Sequence, residues 1–230
     1  MTMNTLPRRS SLFMLLLLLL FTIPGHASEK RIGILVFDGV LTSDVTAPLE
    51  VFGAASKLSW FSRYTTITIG ITEQKQITTE EGLILGVNTS IDDMPELDVL
   101  IVPSSYKMGP LLTNRPLIDF IIHASKHTKW IASNCAGAFL LAKAGLLDGK
   151  KATTWAGGES KLQRDFPHVQ VQADTNYVID GAIITSNGGV VSYQAALVLL
   201  QQMSSRQKAQ QVADALQYTR LTSEPFYSAH

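Results

Sequence analysis

The chain has a single cysteine, Cys135, in 230 residues. An intramolecular disulfide is therefore excluded, and the fold must rest on an apolar core rather than on cross-links. An excess of charge of either sign is also missing, since nineteen Lys and Arg balance nineteen Asp and Glu. A nucleic acid or an anionic membrane surface would call for a basic stripe, and zero net charge leaves no electrostatic footprint of that kind. The five histidines are scattered and form no metal-ligand cluster, and no motif calls for an organic cofactor. Neither internal repeats nor a low-complexity linker divides the chain.

What is present begins with Arg8 and Arg9, followed by LFMLLLLLLFTI from Leu12 to Ile23, then Pro24 and the small residues of GHAS. This order predicts a secretory signal peptide, residues 1–27, cut after Ala27. The apolar run is about twelve residues, well short of the roughly 20 that span a bilayer, so an uncleaved anchor is the lesser reading. The strongly apolar run fits the ordinary secretory route better than a twin-arginine one. Cleavage leaves roughly 200 residues, enough for one domain with a substantial core. Residues 28–221 are assigned to that domain and 222–230 to a tail. The expected location is the periplasm or the medium, with no membrane contact after cleavage.

From Arg31 onward, apolar runs alternate with helical patterns. RIGILVF reads as a buried strand closed by Asp38-Gly39, followed by a helix over about 44–58 with Val45, Leu49, Phe52 and Ala55 on one stripe. Strands follow at 64–70 and 97–105, with a hairpin-like excursion between Thr78 and Ile91. A helix at about 116–126, a strand at 130–134 and a helix at 136–144 come next. Short strands near 152–154, 169–171, 177–179 and 182–185 lead into closing helices at about 190–203 and 205–219. Such alternation predicts an α/β fold: a doubly wound, mostly parallel, flavodoxin-like sheet with helices on both faces. In that architecture the ligand site lies at the carboxyl ends of the strands. Residues 38–44, residues 103–107 and Cys135 should meet there.

Cys135 falls between a strand and a helix, followed by the small residues Ala136 and Gly137. A side chain in such a turn projects outward, beside N–H groups and a helix dipole that favour a thiolate. A buried small hydrophobe is the other reading of a free cysteine, and position alone leaves both open. Asp44 opens a helix, where capping and catalysis are equally open.

SNCAGAFLLAKAGLLDGKKATTW resembles the cysteine elbow of the ThiJ/PfpI superfamily, which has the class I glutamine-amidotransferase-like fold. GILVFDGVLTSDVTAPLEVFGAAS and DFPHVQVQADTNYVIDGAIITSNGG resemble the branch holding isocyanide hydratases and the sensor domains of AraC-type regulators. The resemblance covers residues 31 to about 217. It implies that Cys135 is the nucleophile and that Asp44 is its acidic partner and proton relay. It also implies that backbone N–H groups of Ala136 and Ser104 are the oxyanion donors.

Three departures stand out. Trp155 occupies the place where relatives carry a histidine, so a Cys–His hydrolase is disfavoured; His123 and His127 read as surface residues. Pro103-Ser104-Ser105 replaces Pro-Gly-Gly, and Gln194 replaces an acid. Three functional classes follow: cysteine chemistry on a small electrophile such as an isonitrile, aldehyde or amide; a small-molecule sensor without turnover; and a redox-responsive protective protein. About a dozen residues after the last helix give no helix-turn-helix, so a stand-alone exported domain without a nucleic-acid partner is expected. A homodimer is compatible with the amphipathic final helix.

Overall fold

The structure is a computed structural model that describes residues 28–59 and 62–223; residues 1–27, read as a signal peptide, and residues 224–230 of the expected tail lie outside the described residues. Eight α-helices, one short 3-10 helix (Ile91–Asp93) and eleven strands follow one another among those residues. The first strand, β1 (Ser28–Val36), is fully buried from Ile32 to Val36 except at the surface-facing Arg31 end. It leads into α1 (Thr42–Lys57), β2 (Ser62–Gly70) and a small hairpin, β3 (Gln76–Thr78) with β4 (Ile84–Gly86). The chain returns through β5 (Thr89–Ser90) to β6 (Val99–Val102), all four of whose residues are buried. Two helices, α2 (Met108–Thr113) and α3 (Arg115–His127), precede β7 (Trp130–Asn134) and α4 (Gly137–Lys143). Next come β8 (Lys151–Ala152), α5 (Glu159–Asp165), β9 (Gln170–Val171), β10 (Tyr177–Asp180) and β11 (Ile183–Ser186). The described chain ends with α6 (Val191–Met203), α7 (Arg206–Ala215) and α8 (Tyr218–Ser223).

Seven strands form one sheet in the order β10-β11-β7-β6-β1-β2-β5, parallel except for β10. Burial of β6 along its whole length is what a strand covered on both faces requires, and it explains the unbroken VLIV run. Helix α1 packs with α6 and α7, whereas α4 packs with α2 and α3. The expected doubly wound α/β architecture is therefore present. Differences from the sequence reading are local. The 78–91 excursion is a real hairpin whose last strand, β5, joins the main sheet. The segments near 152 and 170 instead form a separate two-stranded sheet, β8 with β9. One closing helix is two, α7 and α8, because Gln217 turns the chain at φ 58°. Helices α2 and α5, six and seven residues long, carry too few turns for periodicity to reveal.

Two glycines show how tightly the site is held. A Cβ on Gly137 would lie 2.2 Å from Val102 O and 3.0 Å from Pro103 O, both backbone atoms that cannot turn aside. Gly53, inside α1, has open space around its missing Cβ. Gly137→Ala should therefore cost about 3 kcal/mol or more, whereas Gly53→Ala should gain about 0.5–1 kcal/mol. Urea unfolding of the two variants against the wild type measures both.

Candidate active site

Strand β7 ends at the carboxyl edge of the sheet, and the chain turns into α4 through Cys135 at φ 52°. A left-handed conformation in a residue with a Cβ costs about 1 kcal/mol, so surrounding contacts must hold it. Cys135 N–H donates to Ser186 O at 2.9 Å, and Thr154 Oγ1 donates to Cys135 O at 2.8 Å. Gly137 tucks under the end of β6 as described above. On the other side, Gly188 (φ 76°) lets the β11–α6 turn close in, since a Cβ there would sit 2.5 Å from Cys135 Cβ and 3.0 Å from Asp44 Oδ1.

Asp44 lies in the first turn of α1 and is completely buried. It does not cap its own helix. Instead Glu81, from the β3–β4 hairpin, accepts from Thr42 N at 2.9 Å and Thr42 Oγ1 at 2.6 Å, which leaves the Asp44 side chain for the site. Its Oδ2 accepts from Ser104 N (3.1 Å) and Ser104 Oγ (2.6 Å), and its Oδ1 from Gly189 N (3.2 Å) and Ser192 Oγ (2.9 Å). Behind it, Asn134 Nδ2 donates to Asp44 O at 3.3 Å and Ser186 Oγ donates to Asn134 Oδ1 at 2.7 Å. Burial pushes the Asp44 carboxyl above its ordinary value, against four donors that favour the anion. Two of the four are hydroxyls, which can reverse and accept from a protonated carboxyl. The cradle therefore supports both protonation states.

The Ser104 hydroxyl donates to Asp44 Oδ2 and lies beside the Cys135 thiol, whose anion it favours, so thiol, hydroxyl and carboxyl are neighbours. Burial pushes the thiol above its ordinary value; the Ser104 hydroxyl opposes this, the Asp44 charge adds to it, and the Ala136 N–H lowers it slightly. The helix dipole expected to favour a thiolate comes from α4, only seven residues long, and burial acts against it. Ser104 needs a correction. Its N–H, assigned on resemblance to an oxyanion hole, is directed at Asp44 Oδ2, because a buried carboxylate must be met by donors. Ala136 N–H, the other donor that the resemblance implies, acts on the sulfur by favouring its anion.

A family model described as the DJ-1/PfpI family matches residues 30–202. The chain belongs to the DJ-1/PfpI family. It is 31% identical over 189 residues to an isonitrile hydratase of Pseudomonas putida, covering 82% of this chain and 78% of that protein. It is 24% identical over 201 residues to the HTH-type transcriptional regulator GbdR of Pseudomonas aeruginosa, of which it spans 54% of the length. A crystal structure of a ThiJ/PfpI family protein from Pseudomonas syringae superposes with a TM-score of 0.75, at 19% identity, over 98% of this chain and 86% of that one. Family and relatives support cysteine-type chemistry or a regulator-type sensor domain.

Beside the DJ-1/PfpI cysteine opens a cavity of about 620 Å³, with Leu41, Met108, Phe139 and Trp155 in its wall. Trp155, read from the resemblance as standing in place of a histidine, lies in the cavity wall. His123 and His127 are exposed on α3, their rings 4.5 Å apart, beside a cleft at the amino ends of the strands and away from Cys135. Glu50 is exposed and accepts from Tyr193 Oη, and Gln194 accepts from Asn176 Nδ2, so neither reaches the thiol. Among the described residues no three His, Cys, Asp or Glu side chains form a group that could hold a metal.

Two participants escaped the sequence reading, the Ser104 hydroxyl and Ser192; Gly188 and Gly189 form the tight strand-to-helix turn that SNGG suggests. The paired glycines of SNGG carried a usable signal, since adjacent glycines after a strand mark close backbone approach as well as a tight turn. Ser192 carried none. The raised thiol yields a direct test. Alkylation of folded protein by iodoacetamide should show a midpoint above the ordinary thiol value of about 8.5. Asp44→Asn should lower that midpoint without restoring it, because burial, the larger cause, remains. The folded thiol holds a proton that the unfolded chain releases. Wild type should therefore lose stability relative to Cys135→Ala as pH rises above about 8.5, which unfolding in urea across pH would show.

Proposed function

We propose that this protein hydrates a small isonitrile to the N-substituted formamide, with Cys135 as nucleophile and Asp44 as proton relay through the Ser104 hydroxyl. The observation that carries this reading is the place of Ser104: its N–H and its hydroxyl both donate to Asp44, and that hydroxyl lies beside the thiol. Attack on an aldehyde or amide carbonyl would build negative charge on oxygen and need donors aimed at that oxygen. Attack on an isonitrile places the developing charge on carbon, where a proton is needed instead. The site is rich in proton carriers and poor in free donors. The likeness to an isonitrile hydratase over most of both chains points the same way.

The steps balance without an oxidant or cofactor. The Cys135 sulfur bonds to the isonitrile carbon, and the thiol proton passes through Ser104 and Asp44 to that same carbon, giving a thioimidate. Water adds across its C=N bond, with the nitrogen taking one proton. The C–S bond then breaks, the hydroxyl proton returns through the same chain to sulfur, and the formamide leaves. A raised thiol suits a first step that consumes both sulfur and proton. It gives little support to the redox-sensor reading, which calls for an exposed, low-pKa cysteine.

Purified protein with an isonitrile should release the formamide, read by chromatography or infrared loss of the N≡C stretch. Cys135→Ala should abolish turnover, and Asp44→Asn should lower kcat by about 10²–10⁴ with a smaller change in KM. A wild type without turnover on any isonitrile would sink the proposal and leave the sensor reading, which the similarity to GbdR supports. We also propose export, on the sequence of residues 1–27 alone. Fractionation of expressing bacteria should find the mature chain, beginning at Ser28, outside the cytoplasm; an intact N-terminus in the cytoplasm would overturn it.

A further inference from the structure

Several polar groups in the wall of the cavity beside Cys135 are already engaged. Ser105 Oγ accepts from Lys107 N at 3.1 Å, Asn187 Nδ2 donates to Thr154 O, and Gly189 N–H belongs to Asp44. Lys161 is the single charged side chain lining the cavity, and its ammonium pairs with Asp165 while lying 5.5 Å from the Phe139 ring centre. The cavity thus presents a neutral interior.

Its aromatic side is held rigidly. Trp155 stacks on Phe139, ring centres 5.3 Å apart and planes 27° from parallel, and Phe139 meets Phe166 edge-on at 6.0 Å. The backbone closes on the Trp155 ring at Gly158, where a Cβ would lie 2.2–2.5 Å from three ring carbons. Only glycine allows that approach, so the indole cannot swing aside in that direction. Leu41 and Leu112 add apolar surface to the cavity, and Tyr106, 75% exposed, also borders it.

We infer that Trp155 is a specificity-determining residue that selects neutral, flat aromatic electrophiles for Cys135. A rigid aromatic wall favours an aryl group over an aliphatic group of similar size by about fivefold to tenfold. A carboxylate on that aryl group gains nothing from Lys161, already paired, and loses solvation. This inference rests on Cys135 being the reacting group of the site, and its test is built not to depend on turnover.

Phenylacetylene has the outline of an aryl isonitrile without the reactive carbon, and tert-butylacetylene is the aliphatic counterpart. Each is titrated as a protector of Cys135 against iodoacetamide at pH 9. In the wild type phenylacetylene should protect at a concentration about fivefold to tenfold lower than tert-butylacetylene. Trp155→Ala should bring the ratio to about twofold or less, while Trp155→Phe should keep most of it. Equal protection in the wild type overturns the inference with no mutant needed, and so does a preference that survives Trp155→Ala. Better protection by 4-ethynylbenzoate than by phenylacetylene would overturn the neutral part and make Lys161 a carboxylate reader. Aryl-selective protection without isonitrile turnover would sink the proposed reaction while this inference stands; turnover without aryl selectivity would do the reverse.

Discussion

A carboxyl group with no exposed surface is the constraint around which this site is arranged. Asp44 sits on α1, but its hydrogen-bond donors come from the end of β6, from the β11–α6 turn and from the first turn of α6. An unpaired buried carboxylate would cost several kcal/mol, so the three segments must converge on it if the chain is to fold as observed. Convergence then decides the rest. It draws Gly188 against the Cys135 backbone, it places the Ser104 hydroxyl between carboxyl and thiol, and it commits the Ser104 N–H. Even the β3–β4 hairpin has a part, because Glu81 takes over the capping of α1 that an aspartate in the first turn would otherwise offer.

The same burial raises the proton affinity of both acids in the site. A thiolate waiting at neutral pH would be the more powerful nucleophile, yet it would have no proton to give. Here a hydroxyl that donates to the carboxyl lies beside the thiol, which suits the proposed addition of sulfur and hydrogen to one atom. Strain at Cys135 is compatible with this arrangement: φ 52° points the side chain into the cavity, and contacts from Ser186 and Thr154 hold its backbone there.

Much of the architecture was legible in the sequence because its central strands are buried on both faces and appear as unbroken apolar runs, VLIV in β6 being the plainest. Cys135 was legible as an elbow because strand, small residues and helix follow one another within a few positions. What was not legible depends on distance along the chain. Ser192 and Gly189 reach Asp44 across sequence separations of 148 and 145, and no local pattern encodes such a meeting. The direction of an N–H is equally hidden: Ser104 was named from its place after β6, but only the packed carboxylate determines what its amide faces. Short elements such as β8 and β9 failed for a third reason, since two residues satisfy many pairings and their partners are fixed by the rest of the fold.

Two departures from the family pattern, considered separately, looked like losses. The resemblance implies a histidine where this chain has Trp155 and a glycine where it has Ser104. In the structure they act on opposite sides of Cys135 and push the chemistry in one direction. Trp155 joins Phe139 in an apolar wall, removing a base from the cavity, and Ser104 adds a hydroxyl where the thiol meets Asp44. Under the proposed reaction, proton movement is kept to the buried side of the sulfur, while the open side is left to a neutral partner. That division suits a substrate that arrives without charge and receives its proton from the protein at the reacting carbon.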